Sequence, residues 1–200
     1  EYDFDRILAE QMRRMNVNQI DFYMLHSLDA NFWDNKVLKY NVLEHLYKAK
    51  RDGRIRYIGF SFNDDFDMFK WICDYWEHWD FCQIQYNYMD EFSQAGRKGL
   101  LAAAQKGIPV IIMEPLRGGK LVDLLPEKSK KWIDENPKRY SPAEWAFRWL
   151  WNQPEVTCVL SGMNTMDMVQ ENMRIASDVQ VGEFRDEDLA MIDKIKGEIN

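Results

Sequence analysis

An α/β fold of the (β/α)8 TIM-barrel type, incomplete in this chain, is predicted by three features of the sequence. Apolar runs of strand length recur five times, and stretches long enough for a helix separate them. The runs are almost continuously apolar, which is typical of parallel strands buried on both faces. A polar or special residue follows each run, where a barrel builds its site. The five predicted strands cover residues 20–26, 55–60, 81–86, 108–113 and 156–160.

The stretches between the strands have the apolar spacing of amphipathic helices. In one of them Ser141 is a predicted N-cap, Pro142 occupies the first helical position and Glu144 completes a capping box. The predicted helices, in order, centre on residues 3–15, 38–47, 66–76, 100–104, 141–150, 165–176 and 186–196.

A doubly wound open sheet is the alternative, but no Gly-x-Gly-x-x-Gly motif follows any strand. Residues such as His26, Ser61, Gln83, Glu114 and Ser161 instead lie at or just past the carboxyl ends of several strands, as in a barrel. A barrel has eight strands and this chain supplies about five. We therefore expect residues 1–200 to form one partial barrel domain, with the missing strands in front and two exposed sheet edges that promote self-association.

Composition narrows the class of protein. The chain has 200 residues, 46% of them hydrophobic, which fits one domain with a sizeable core. A net charge of −7 argues against a nucleic-acid partner. No apolar run or leader pattern indicates a membrane span or a secretion signal, so we expect a cytoplasmic protein. The cysteines Cys73, Cys82 and Cys158 have no metal-site spacing and are predicted to be buried, reduced fillers.

Five segments, in order and at matching spacing, resemble the later part of an aldo-keto reductase. They are Asp21–His26, Tyr57–Ser61, Gln83–Asn87, Pro115–Gly119, and Val159–Gly162 followed by Glu171 and Asn172. The segments 86–91 and 114–120 look most like a bacterial subgroup with a cysteine-rich iron–sulfur-type tail. That tail is absent from this sequence, so no cluster is predicted.

The resemblance implies NAD(P)H-dependent hydride transfer between a nicotinamide ring and a carbonyl or alcohol substrate. His26 matches the family's catalytic histidine, which orients the carbonyl and donates a hydrogen bond to its oxygen. A lone histidine after an apolar strand is otherwise a satisfied core residue. The family's catalytic tyrosine, lysine and aspartate precede this region, so we expect the chain alone to be inactive.

Ser61 and Gln83 match the residues that bind the nicotinamide carboxamide, since a hydroxyl and an amide satisfy both ends of a primary amide. Each is otherwise a strand-end cap. Phe62 intervenes before Asn63, which displaces that asparagine by one position from the family pattern. Met113 stands where many relatives stack an aromatic ring on the nicotinamide, and core filler is the alternative.

The remaining implied cofactor residues belong to the pyrophosphate and adenine sides. They are Pro115, Leu116, Arg117, Ser161, Gly162, Met163, Asn164, Glu171 and Asn172. A plain turn is the alternative for the first group, and solvent-facing helix positions are the alternative for the last two.

NADP(H) or NAD(H) is the implied cofactor. NADPH-selective relatives carry Lys and Arg at the positions of Gly162 and Met168, and neither residue here makes a charged contact. We therefore expect weak discrimination or tolerance of NADH. A non-catalytic nucleotide-sensing module on the same fold is the alternative function. A phosphate-binding lyase or isomerase is weakened because no lysine ends a strand.

Overall fold

Five parallel strands form one sheet in a computed structural model that describes residues 3–199. The strands neighbour one another in chain order, β1-β2-β3-β4-β5, and every pairing is parallel. The predicted α/β fold with five parallel strands is thereby confirmed. The strands are β1 (Ile20–Leu28), β2 (Ile55–Phe62), β3 (Phe81–Gln85), β4 (Val110–Met113) and β5 (Val156–Val159).

Helices fill the connections between strands. They are α1 (Phe4–Met15), α2 (Ala30–Phe32), α3 (Val42–Arg51), α4 (Phe66–Tyr75), α5 (Gly96–Gln105), α6 (Lys120–Asp123), α7 (Glu127–Glu135), α8 (Pro142–Trp151), α9 (Met166–Asp178) and α10 (Asp186–Lys196). A π-helical turn, Trp33–Leu38, continues α2. The sequence did not predict that turn, α2, α6 or α7. Within residues 3–199, no helix combines the length and the apolar character needed to span a bilayer.

The two faces of the sheet differ in burial around β1 and β2. Ile58 and Phe60 on β2 and Ile84 on β3 are fully buried on the helix-covered side. On the other, concave side, Phe22 is 62% exposed, although its ring contacts Tyr57. A barrel interior is normally packed by side chains from all its strands. The concave face is therefore the inner wall of a barrel that these five strands form only in part.

The three cysteines differ in burial. Cys73 and Cys82 are buried, as predicted, and burial raises the pKa of the Cys73 thiol to about 12. The prediction for Cys158 was wrong, because this residue is exposed. Cys158 pairs with Ile111 in the register of β4 and β5, near the open edge of the sheet. The apolar residues on either side of Cys158 predicted a buried strand, and they do not indicate that β5 is largely exposed.

At the start of α8 the predicted N-cap is present, but the predicted capping box is not closed. The Ser141 hydroxyl accepts a hydrogen bond from the Glu144 backbone N–H at 3.0 Å, as an N-cap does. The Glu144 carboxylate does not return to close the predicted capping box, because it pairs with Arg148 and Arg174. One local and one long-range ion pair thus engage a side chain whose sequence pattern indicated a cap.

Both edges of the sheet are available for pairing. Among residues 3–199 no further strand joins the outer side of β1 or of β5. Unpaired edges and exposed apolar surface promote association between chains. We predict that the chain self-associates as its concentration rises, measured by sedimentation velocity.

A charge on the concave face should oppose this association. Phe22→Glu is expected to shift the sedimentation profile towards monomer. Met173→Glu is the matched control, because Met173 is 64% exposed but lies on the outer helix α9. A wild-type chain that stays monomeric over the whole concentration range would contradict the prediction.

Candidate functional site

The carboxyl ends of β1 and β2 are tied together by a chain of hydrogen bonds. The Ser27 backbone N–H donates to the Ser61 Oγ at 2.6 Å, and Asn63 Nδ2 donates to the Ser27 Oγ at 2.6 Å. Ser27 has a φ of 58°, a left-handed conformation that is uncommon outside glycine. We call the edge of the sheet formed by the carboxyl ends of its strands the rim. Ser61 and Asn63 therefore have clear structural roles at this rim, in agreement with the strand-end alternative for Ser61.

His26 lies beside this chain of hydrogen bonds, on β1, and it is exposed. Its neighbour Leu25 is 6% exposed, so the alternation of the strand turns the imidazole away from the buried side. Within residues 3–199, His26 is therefore not a buried core residue. The imidazole is accessible to a small molecule at the carboxyl end of the sheet.

Gln83 connects this rim to the next strand. Its Cα pairs with Ser61 on one side and with Ile111 on the other, and its side chain is 9% exposed. Gln83 Nε2 donates to the Met113 sulfur at 3.3 Å. His26, Ser61, Gln83 and Met113 thus follow one another across four adjacent strands, each within two residues of the carboxyl end of its strand.

A cavity of about 730 Å³ opens beyond Met113, between the ends of β4 and β5 and the start of α9. Predicted cofactor residues that line it are Met113, Pro115, Leu116, Ser161, Gly162, Asn164, Glu171 and Asn172. Its other lining residues are Glu114, Gly118, Gly119, Val122, Asp123, Ala143, Leu160 and Met168. His26, Ser61, Asn63, Gln83, Arg117 and Met163 are not part of this lining. A volume of this size suits a ligand as large as a nucleotide cofactor.

The turn that follows β4 forms one wall of the cavity. Glu114 and Arg117 have φ values of 55° and 53°, and Gly118 and Gly119 have 64° and 85°. Left-handed backbone is strained for the two non-glycine residues and is free of strain for the glycines. The buried amide of Asn87 donates to the Glu114 carbonyl oxygen at 3.0 Å, which helps to hold the turn in this shape.

The charge of the cavity is negative. Its lining includes the carboxylates of Glu114, Asp123 and Glu171, and among the described lining residues none is lysine or arginine. Arg117 lies on the turn, but its Nε is 3.4 Å from Asp90 Oδ2, and it does not line the cavity. The sequence predicted that Arg117 contacts the pyrophosphate, but in the structure its guanidinium pairs with Asp90 instead.

The opposite wall comes from β5 and α9. Asn172 Nδ2 donates to Ser161 Oγ at 3.0 Å, which joins the two residues that line the cavity on this side. Thr165 caps α9 by accepting from the Met168 N–H at 3.3 Å. A helix start of this kind carries partial positive charge and favours an anion, which partly offsets the negative side chains.

Ion pairs hold α9 against α8 behind this wall. Arg148 is 2% exposed and bonds to Glu144, Asp178 and Glu183 at 2.9, 2.5 and 2.8 Å. Burial alone would lower the pKa of the Arg148 guanidinium, but these hydrogen bonds outweigh burial and raise it. The hydrogen bond to Arg148 also lowers the pKa of Asp178. The guanidinium therefore stays charged in the interior.

Sequence reasoning missed several cavity residues that lie outside the strand ends. Val122 and Asp123 belong to the short helix α6, and Ala143 belongs to the first turn of α8. Apolar periodicity could place Ala143 on a helix, but nothing local indicates that this turn faces the cavity. No signal in the sequence separates Asp123 from other surface carboxylates.

Comparison with known proteins agrees with this architecture. The model of the aldo/keto reductase family matches residues 3–196. An uncharacterized oxidoreductase of Schizosaccharomyces pombe is 27% identical over 165 residues, which are 82% of this chain and 50% of the relative. The chain thus spans about half the length of this curated relative.

Solved structures show the same fold. The holo form of an aldo-keto reductase from Bacillus halodurans superposes with a TM-score of 0.73 at 21% identity, covering 95% of this chain and 63% of that one. An aldo/keto reductase from Klebsiella pneumoniae, in complex with NADP and acetate, gives 0.76 at 21% identity, covering 100% and 67%. With the family model matching nearly its whole length, the chain belongs to the aldo/keto reductase family.

Proposed function

We propose that this chain is the cofactor-binding portion of an NAD(P)H-dependent oxidoreductase that transfers hydride between the nicotinamide ring and a carbonyl or alcohol substrate. The observation that carries the proposal is the cavity between β4, β5 and α9, where predicted cofactor residues from three separate segments meet. The family match supports the same reaction class. The relative from Klebsiella pneumoniae was solved with NADP, which supports the cofactor class.

The residues present fit such a cofactor. Gly118 and Gly119 allow close approach of the backbone to a pyrophosphate, and the start of α9 favours its negative charge. Met113 and Gln83 extend from the cavity towards the rim and would hold the nicotinamide end. Bound there, NAD(P)H supplies the hydride.

His26 would contact the substrate at the same rim. Its accessible imidazole can donate a hydrogen bond to a carbonyl oxygen, which stabilises the negative charge that develops there. We propose that the proton donor is a tyrosine outside this chain, assisted by a lysine and an aspartate. The 200 residues alone are then expected to bind cofactor without turnover.

Titration with NADH and NADPH tests the proposal. The chain has eight tryptophans, so binding should quench its tryptophan emission in a saturable way, with circular dichroism as the control for folding. We expect similar affinities for the two cofactors, because none of the described residues that line the cavity is a lysine or arginine that would favour a 2′-phosphate. A folded chain that binds neither cofactor would overturn the proposal. Cofactor binding by a complete protein that never turns over would favour the nucleotide-sensing module.

A positive charge added to the cavity lining should create selectivity for NADPH over NADH. Met168→Arg adds a guanidinium to the lining and is expected to strengthen NADPH binding about tenfold, or roughly 1.4 kcal/mol, relative to NADH. Met166→Arg is the matched control, since Met166 is on the same helix turn but is not a lining residue. Wild-type binding that favours NADPH by about a hundredfold would contradict the prediction of weak discrimination.

A further inference from the structure

The Ser141 hydroxyl makes two hydrogen bonds of different kinds. It accepts from the Glu144 backbone N–H at 3.0 Å and donates to Glu171 Oε1 at 2.5 Å. The direction of the second bond is fixed, because an ionised carboxylate only accepts. One hydroxyl therefore links the N-cap of α8 to a carboxylate that lines the cavity.

Helix α9, which carries Glu171, depends on polar contacts for its place. Ile175 is its one buried side chain in the described structure. Glu171, Arg174 and Asp178 are spaced three and four residues apart, so they lie along one face of α9. Core packing therefore contributes little to the orientation of this face.

The partners of that face are spaced in the same way on α8. Glu171 bonds to Ser141, Arg174 Nη2 bonds to Glu144 Oε2 at 2.6 Å, and Asp178 bonds to Arg148. Glu144 and Arg148 are each 2% exposed, so the α8 partners in these contacts are fixed in the interior. Of the three contacts between α8 and α9, the one made by Ser141 is nearest the cavity, because its partner Glu171 is a lining residue.

We propose that Ser141 is a positioning residue for the nucleotide half of the cofactor, an inference that rests on the proposed function. By holding Oε1 of Glu171, it selects one orientation of the carboxylate and leaves Oε2 to accept from an amine or a ribose hydroxyl. A carboxylate without this anchor samples several rotamers, and ordering it on binding costs affinity. The next residue, Asn172, also lines the cavity and is held by its hydrogen bond to Ser161.

Affinity for ADP-ribose tests the proposal, because this probe contains the nucleotide half and lacks nicotinamide. Ser141→Ala should weaken ADP-ribose binding about five- to tenfold, and Ser141→Thr, which keeps the hydroxyl, should restore most of it. Ser141→Asp keeps an oxygen to cap α8 but places a negative charge against Glu171. It should weaken binding at least as much as Ser141→Ala while preserving the helix content measured by circular dichroism.

A double-mutant cycle separates positioning from a general structural role. If Ser141 acts through Glu171, Ser141→Ala should have no further effect on affinity in a Glu171→Ala background. Equal effects of Ser141→Ala in both backgrounds, or normal binding by Ser141→Asp, would overturn the inference while leaving the proposed function intact. A folded wild-type chain that binds neither ADP-ribose nor NADH would overturn both.

Discussion

Replacing Arg148 by alanine should lower the free energy of unfolding by about 3–5 kcal/mol, the cost typical of removing one partner from a buried ion pair. The guanidinium is 2% exposed and is bonded to three carboxylates, and it lies 4.5 Å from the centre of the Tyr140 ring. Its loss leaves Glu144 buried with Arg174 as its remaining ion-pair partner. It also releases the end of α9. Urea denaturation followed by circular dichroism measures the effect.

Arg174→Ala is the matched control for this prediction. Arg174 pairs with the same carboxylate, but its side chain is 56% exposed and Glu144 keeps Arg148. Exposed pairs contribute little, so we expect a loss below about 1 kcal/mol. Losses of similar size in the two variants would show that Arg148 is not the centre of the network.

The second large effect is expected at Gly96, where Gly96→Ala should destabilise the chain by about 2–4 kcal/mol. Gly96 has a φ of +52°, and an added Cβ would lie 2.5 Å from the Glu91 carbonyl oxygen. The neighbour is backbone, so it cannot rotate away as a side chain would. The loop it closes carries Asn87 and Asp90, which hold the turn beside the cavity. The variant should therefore also weaken NADH binding.

Gly107→Ala isolates the steric part of this effect. Gly107 has a φ of +71°, but an added Cβ there meets no atom within 4 Å. Its cost should be that of the left-handed backbone alone, about 1–2 kcal/mol. The two variants are compared by the same denaturation experiment and by NADH titration. If Gly107→Ala is as damaging as Gly96→Ala, the clash with Glu91 is not the cause.

Much of the fold was predictable because its signals are local. Strand-length apolar runs fixed the five strands to within a few residues, and the Ser141-Pro142 pair marked the start of α8. The helices that were missed are short or polar: α2 has three residues, α6 has four, and α7 is rich in charged residues. Stretches of this kind carry too little apolar periodicity to be distinguished from loops.

The candidate site was predictable only as far as its residues follow strands or match the family. The sequence placed Met113, Pro115 and Ser161 near a cofactor, and the cavity brings them together. It also assigned Arg117 to a phosphate, whereas the fold pairs that side chain with Asp90. Which of several carboxylates an arginine meets depends on how loops pack, and composition does not encode that choice.

The sequence by itself thus determined the parallel α/β architecture, the order of its elements and the position of His26 at a strand end. Tertiary structure alone decided that Cys158 is exposed, that Asp123 and Ala143 line the cavity, and that Ser141 holds Glu171. The physical reason is range. Apolar spacing acts within a few residues, whereas the Ser141 bond joins positions thirty residues apart and exists only once α8 and α9 have packed.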